Sequence, residues 1–246
     1  MEEQERRRII RQKLVRLETA PILFSAAALS TGFPSLDAAL GIGGLPRGRI
    51  VELFGPASSG KSTLALQVIA HLMANGLAAA WIDAEHVFDA AQAARLGIDV
   101  ERLPVVRPDS AEQALEMARQ LASSGALDLI AIDSAAALVP QMELETTLGE
   151  SGPGLQSRVL ASGLRKLAAA ARRSDTAILA LNQTRGSEDE VSAGGPPLKL
   201  HAAVRIGLDA ASGRQARFRI LKNKAGEAFR EGILRWEDGC RFTEPA

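Results

Sequence analysis

The chain has 246 residues, 46% of them apolar, enough for one large buried core with at most a small appendage. Lysine plus arginine and aspartate plus glutamate each number 29, and a formal net charge of zero argues against non-specific nucleic-acid binding by the whole surface, though not against a local basic groove. Cys240 is the only cysteine, which excludes an internal disulfide and a multi-cysteine metal site. With no apolar run of about 18 residues and no signal-peptide pattern, the cytoplasm is the expected location.

Residues 1–18 are charged, but Ile10, Leu14 and Leu17 form one helical stripe. Three readings stand: a solvated terminal helix packed on its own domain, an arm docked on a neighbouring subunit, or a basic contact with nucleic acid. Pro21 breaks the segment, and residues 21–31 read as a linker or short strand. The expected division is an arm over 1–30 and a single core domain over 31–246.

From residue 32 the pattern is α/β. Strands are expected at 50–54, at 78–82 ending in Asp83, and at 127–132 ending in Asp133; helices are expected at 61–75 and 154–173. Ser110-Ala111-Glu112-Gln113 has the form of a capping box and opens another helix that stops near Gly125. The apolar run Thr176–Leu181 reads as a buried strand, followed by a polar, glycine-closed loop over 182–195 that carries Arg185 against Glu188, Asp189 and Glu190. Three strand-like runs, 203–208, 216–221 and 232–236, follow without intervening helices. The expected fold is therefore a mostly parallel twisted sheet with helices on both faces and an antiparallel edge.

Gly55-Pro56-Ala57-Ser58-Ser59-Gly60-Lys61-Ser62 fits the P-loop pattern and sits between an expected strand and an expected helix, the context that motif requires. Its backbone N–H groups would wrap a phosphate chain, Lys61 would reach the β- and γ-phosphates, and Ser62 would ligand Mg²⁺. Asp133, a carboxylate ending an apolar strand, suits a Walker B acid for the same metal; the alternative is a helix N-cap. Glu85, in Asp83-Ala84-Glu85-His86 at another strand end, is the candidate for orienting an attacking water, with a solvated loop carboxylate as the alternative.

Together these segments resemble the RecA family of recombinases, from about Ser30 to Trp236. The resemblance rests on Ser30–Asp37, Gly43–Glu52, the P-loop, Ile82–His86, Ile132-Asp133-Ser134, Asn182-Gln183 and Leu221–Lys224, dispersed matches in the right order. It implies a RecA-like P-loop NTPase core that binds ATP with Mg²⁺. Lys61, Ser62 and Thr63 would bind phosphates and metal, and Asp89 joins the nucleotide-binding set. Glu85 would be the catalytic glutamate and Asp133 the Walker B acid. Gln183 resembles the glutamine that senses the γ-phosphate. Lys222 and Lys224 resemble the pair that reaches the ATP of the next subunit across a filament interface; read without the resemblance, they would be a solvated hairpin end. Glu143–Gly154 and the segment after Gln183 resemble the two DNA-binding loops. Arg158, Arg165 and Arg185, with backbone groups at Gly194 and Gly195, are the implied contacts to single-stranded DNA.

The chain departs from that pattern in places. Its second loop is short, lacks apolar and aromatic residues, and carries an acidic cluster that would repel phosphates. Gln92 stands where the family stacks a tyrosine on adenine. The family's C-terminal domain is not expected here. These departures point to an accessory of DNA repair and SOS-type mutagenesis, similar to the core-sized ImuA proteins. Its expected associates are RecA, itself or a translesion polymerase complex. The alternative is a compact recombinase that hydrolyses ATP on single-stranded DNA and exchanges strands.

Overall fold

The computed structural model describes residues 28–147, 154–184, 195–211, 214–237 and 241–245. Among them the elements run α1 (Pro34–Leu40), β1 (Ile50–Gly55), α2 (Lys61–Ala74), β2 (Ala79–Asp83), α3 (Ala90–Arg95), β3 (Val105–Val106), α4 (Ala111–Ser123) and β4 (Leu129–Asp133). A short 3₁₀ turn (Ala135–Ala137), α5 (Gln141–Glu145), α6 (Leu155–Ser174), β5 (Ala177–Gln183) and α7 (Pro196–His201) follow, then β6 (Val204–Ala211), β7 (Gln215–Asn223), β8 (Glu231–Glu237) and β9 (Arg241–Thr243).

These strands form one sheet in the order β3-β2-β4-β5-β1-β6-β7-β8-β9. It is parallel from β3 to β6 and antiparallel from β6 to β9, as the missing crossover helices require. The central strands β1, β2 and β4 are buried along their whole length, because helices cover both faces. Successive residues pack to opposite sides. Val51, Leu53, Trp81, Ala131 and Leu179 join the core under α1 and α2, while Ile50, Ile82, Ile130, Ile132 and Ile178 join the core under α4 and α6. In α4 the buried stripe is Ala111, Ala114, Leu115, Ala118 and Ala122, and in α6 Leu160, Leu164 and Leu167 face it.

Local chemistry fixes the ends. Asp37, in α1, accepts hydrogen bonds from Ser30 Oγ at 2.7 Å and Thr31 N at 2.9 Å, folding the Ser30–Asp37 segment on itself. Ser110 Oγ caps α4 through Gln113 N, but the returning Gln113 side chain takes the N–H of Asp109 rather than that of Ser110. The box is therefore shifted by one residue. The strand expected to stop at Leu181 continues through Asn182 and Gln183, because β1 pairs beyond that point: Phe54 opposite Asn182 and Gly55 opposite Gln183. The chain's last strand is bolted to the P-loop helix by Gln67, whose side chain donates to Phe242 O at 2.9 Å and accepts from Phe242 N at 2.7 Å.

The expected N-terminal arm lies outside the described residues apart from its end, where Leu29 bridges to Leu45. Arg185, Gly194, Cys240 and the acidic cluster at 188–190 also lie outside them, as does the 148–153 part of the first loop. No helix among the described residues is long and apolar enough to cross a membrane.

Candidate nucleotide site

Register alone gathers the expected site. Asp83 pairs with Asp133 and Gly55 with Gln183, so β1, β2, β4 and β5 all end on one edge of the sheet. Loops at the carboxyl ends of parallel strands are where open α/β sheets bind ligands. The P-loop leaves β1 there and turns into α2.

Two glycines make that turn possible. A Cβ on Gly55 would lie 2.0 Å from Leu208 O, so only glycine lets the loop start this close to β6. Gly60 has φ of +91° and packs on top of Trp236 and Phe242, whose rings are tilted by 37° with centroids 4.0 Å apart. The antiparallel hairpin thus backs the loop from below. Pro56, Ala57 and Ser58 stay exposed above it, while Ser59 turns its side chain inward.

Lys61 is buried and folds back over the loop, donating from Nζ to Pro56 O at 2.7 Å, Gly55 O at 3.2 Å and Ser59 Oγ at 3.4 Å. Burial holds its ammonium below the ordinary lysine range, and the carboxylates of Asp133 and Glu85 partly offset that effect. Asp133 ends β4 as a strand residue, and Ser134 rather than Asp133 starts the following 3₁₀ turn. Burial pushes its carboxyl up to about 6, opposed by a hydrogen bond from Ser62 and reinforced by the charges of Glu85 and Asp83.

The donor set fits Mg²⁺. Ser62 and Asp133 are hard oxygen groups in contact with each other, and among the described residues no group of three His, Cys, Asp or Glu side chains is placed to hold a metal ion. A site with one carboxylate and one hydroxyl suits a cation that keeps waters and takes its remaining ligands from phosphates.

Glu85 is half-buried and already engaged. Its Oε1 accepts from Ser134 Oγ and, at 3.3 Å, from Gln183 Nε2. The loop that carries it is held by Asp83, a fully buried carboxylate that accepts from Val87 N, Phe88 N and Arg107 Nε at 3.0 to 3.1 Å. Asp83 was not singled out by sequence; its backbone-holding role needs the fold to be seen. Asp89 caps α3, taking the N–H groups of Ala91 and Gln92. Gln92 reaches Thr63 Oγ1 at 3.5 Å, which brings α3 beside the start of α2.

Lys222 stands apart from this cluster. Its Nζ donates to Lys199 O at 2.7 Å and Leu200 O at 3.2 Å, capping the C-terminal end of α7. Burial, Lys224 and Arg205 hold its ammonium below the ordinary value. Exposed Arg165 shares this patch: burial and the charges of Arg165, Lys222 and Lys224 hold the His201 imidazole below its ordinary value. Arg158 is exposed in the first turn of α6, and Gly195 lies against Ser157 near it.

One buried constellation escaped the sequence reading. Glu52 of β1, Asn182 of β5 and Arg205 of β6 are joined side by side in the middle of the sheet. The signal was present: Glu52 is a carboxylate inside the otherwise apolar Ile50–Phe54 run.

The RecA N-terminal domain family matches residues 4–236. The RecA protein of Xanthomonas axonopodis is 43% identical over 229 residues, covering 86% of this chain and 67% of its own length. That of Thioalkalivibrio sulfidiphilus is 41% identical over 249 residues, covering 94% and 73%. That of Rubrobacter xylanophilus is 47% identical over 220 residues, covering 83% of this chain and 64% of its own, so the chain spans less than two thirds of that relative.

Proposed function

The chain belongs to the RecA family, whose ATPases act in DNA recombination and repair, and from that premise we propose that it is an ATP-binding accessory of DNA repair and SOS-type mutagenesis. The associates proposed for it are RecA, a second copy of itself or a translesion polymerase complex, met through an ATP-bridged, filament-type interface.

The observation that carries the nucleotide reading is the convergence of Lys61, Glu85, Asp133 and Gln183 on one sheet edge around a P-loop. In the proposed mechanism Lys61 exchanges the neutral carbonyls of Gly55 and Pro56 for anionic phosphate oxygens, so that both partners of the pairing are charged. Ser62 and Asp133 hold magnesium, which when bound neutralises charge developing on the phosphates. Glu85 orients the attacking water and takes its proton. The Gln183 amide exchanges its bond to Glu85 for the γ-phosphate. Lys222, occupied away from this cluster, and exposed Lys224 near it suit a neighbour's nucleotide better than their own, which supports an interface that completes the site.

The accessory part rests on the Glu188-Asp189-Glu190 run in the expected DNA loop, since like charge opposes phosphate contact. The intact ATP machinery favours a second reading, a compact recombinase acting on single-stranded DNA. Steady-state ATP hydrolysis by the purified protein, with and without single-stranded DNA, separates them. Turnover unmoved by DNA, with nucleotide binding intact, is expected of the accessory. Strong stimulation by DNA alone would overturn that reading in favour of the recombinase.

A further inference from the structure

Resting on the ATPase reading above, we infer that Glu52 and Arg205 are positioning residues for Gln183, acting through Asn182. Glu52 and Asn182 are fully buried, and Arg205 is nearly so. Arg205 Nε donates to Glu52 Oε2, and its guanidinium lies 4.4 Å over the Phe54 ring. The other carboxylate oxygen, Oε1, accepts from Asn182 Nδ2 at 2.9 Å. Asn182 Oδ1 in turn accepts the backbone N–H of Gln183 at 2.9 Å.

The chemistry runs in one direction. With Oε2 taken by Arg205, Glu52 acts as an acceptor at Oε1 as well, so the Asn182 amide presents its NH₂ there and its carbonyl oxygen is left for Gln183. The Gln183 N–H is thereby held by a side chain fixed from the centre of the sheet. Arg205 pairs with Glu52 in a dry setting. Stability alone is a weak reason for such a trio, because buried ion pairs can often be replaced by apolar side chains without loss. What an apolar pair cannot supply is the acceptor for Asn182. The trio also reaches from one proposed nucleotide contact to the neighbour of another: β5 ends in Gln183, and Arg205 of β6 pairs in register with Lys222 of β7.

The test uses two double variants of the full chain, because either single change would bury an unpaired charge. Glu52→Met with Arg205→Met removes charge and acceptor together, while Glu52→Gln with Arg205→Met removes the charge but keeps an oxygen for Asn182. Amide hydrogen exchange at Gln183 is read without nucleotide, and ATP turnover and nucleotide affinity are read in parallel. In the Met/Met protein, exchange at Gln183 should quicken by roughly tenfold or more, while exchange in β2 and β4 and the melting temperature stay near the parent's. Turnover should fall by roughly tenfold or more with nucleotide affinity within about twofold, the split expected when only transition-state positioning is lost. The Gln/Met protein should recover both. Unchanged exchange at Gln183 in the Met/Met protein, or equal loss in the two proteins, overturns the inference. A parent that binds nucleotide but never hydrolyses it counts against the ATPase reading, and exchange at Gln183 still decides the positioning claim.

Discussion

Gln183 Nε2 donates to Glu85 Oε1 at 3.3 Å, joining the end of β5 to the turn after β2 across the intervening strand β4. The residue proposed to sense the γ-phosphate and the residue proposed to orient the water are thus one hydrogen-bonded unit. Below them lies Asp133 at the end of β4, and behind Gln183 begins the loop that precedes α7. Drawing the Gln183 amide onto a phosphate oxygen would release a Glu85 oxygen for water.

Glu85→Gln keeps the size of the side chain and an acceptor for Ser134 but removes the base. Nucleotide affinity should stay within about threefold while turnover falls by roughly 10²–10⁴, the usual worth of a positioned general base. Titration with a fluorescent nucleotide and single-turnover hydrolysis measure the two quantities. Normal turnover in this variant would remove Glu85 from the mechanism.

Lys61→Ala should abolish productive ATP binding. The ammonium is buried against carbonyls of its own loop, and burial already disfavours its charge, so removing it costs the free protein little. The melting temperature should move by only a few degrees, while stabilisation by Mg²⁺-ATP, a direct readout of binding, disappears. A variant that is stabilised as strongly as the parent would contradict the P-loop assignment.

The strands that position this site were readable because a parallel sheet covered on both faces makes them continuous apolar runs, as in Ile50–Phe54 and Leu129–Ile132. The P-loop was readable for a different reason, since glycine spacing and a following helix are local requirements. Asn182 and Gln183 read as the start of a loop because polarity along the chain says nothing about a buried Glu52 130 residues away. The short helices Ala90–Arg95, Gln141–Glu145 and Pro196–His201 have too few turns to show a period. The packing of Trp236 and Phe242 under Gly60 joins residues about 180 positions apart, and no local signal could carry it.

Asp133 gives the protein a pH dependence of known sign. Its native carboxyl titrates near 6, above its ordinary value of 3.8, so the folded state holds the proton more tightly than the unfolded chain. The stability this contributes is complete below about pH 4 and is lost as pH rises through 6. Asp133→Asn removes that titration. The stability of the variant relative to the parent, without metal, should grow between pH 4 and 7 by on the order of 2–3 kcal/mol. Denaturant melts at several pH values test this, and a flat difference across the window would count against a raised carboxyl. Binding of Mg²⁺-nucleotide by the parent should weaken below pH 6, where the ionised ligand becomes scarce.

Gly60→Ala should fail for steric reasons. The added methyl would sit 2.5 Å from a Trp236 ring carbon and 2.6 Å from a Phe242 ring carbon, at a φ of +91° that L-residues avoid. Strain and overpacking together should cost about 2–4 kcal/mol. Adding Trp236→Leu should return the packing part of that loss and leave the backbone part. Calorimetric melting of both proteins measures it, and a Gly60→Ala protein as stable as its parent would mean that the hairpin does not press on the loop.

Replacing Lys222 and Lys224 with alanine tests whether the nucleotide site is completed by a neighbour. In the free chain Lys222 caps α7 through two carbonyls, and the two lysines lie beside Arg165 and His201 rather than beside Lys61. Loss of a capping cation at a helix end costs only about 0.3–1 kcal/mol, so the monomer should fold and bind nucleotide almost as the parent does. Turnover per chain in the parent should rise with protein concentration as assemblies form, because a cation supplied in trans can raise phosphoryl-transfer rates by about 10³–10⁵. In the double variant that concentration dependence should vanish while the dilute rate is unchanged. Hydrolysis measured across a protein dilution series, alongside light scattering for assembly, distinguishes the cases. Equal impairment of the dilute monomer would place the lysines at their own nucleotide instead.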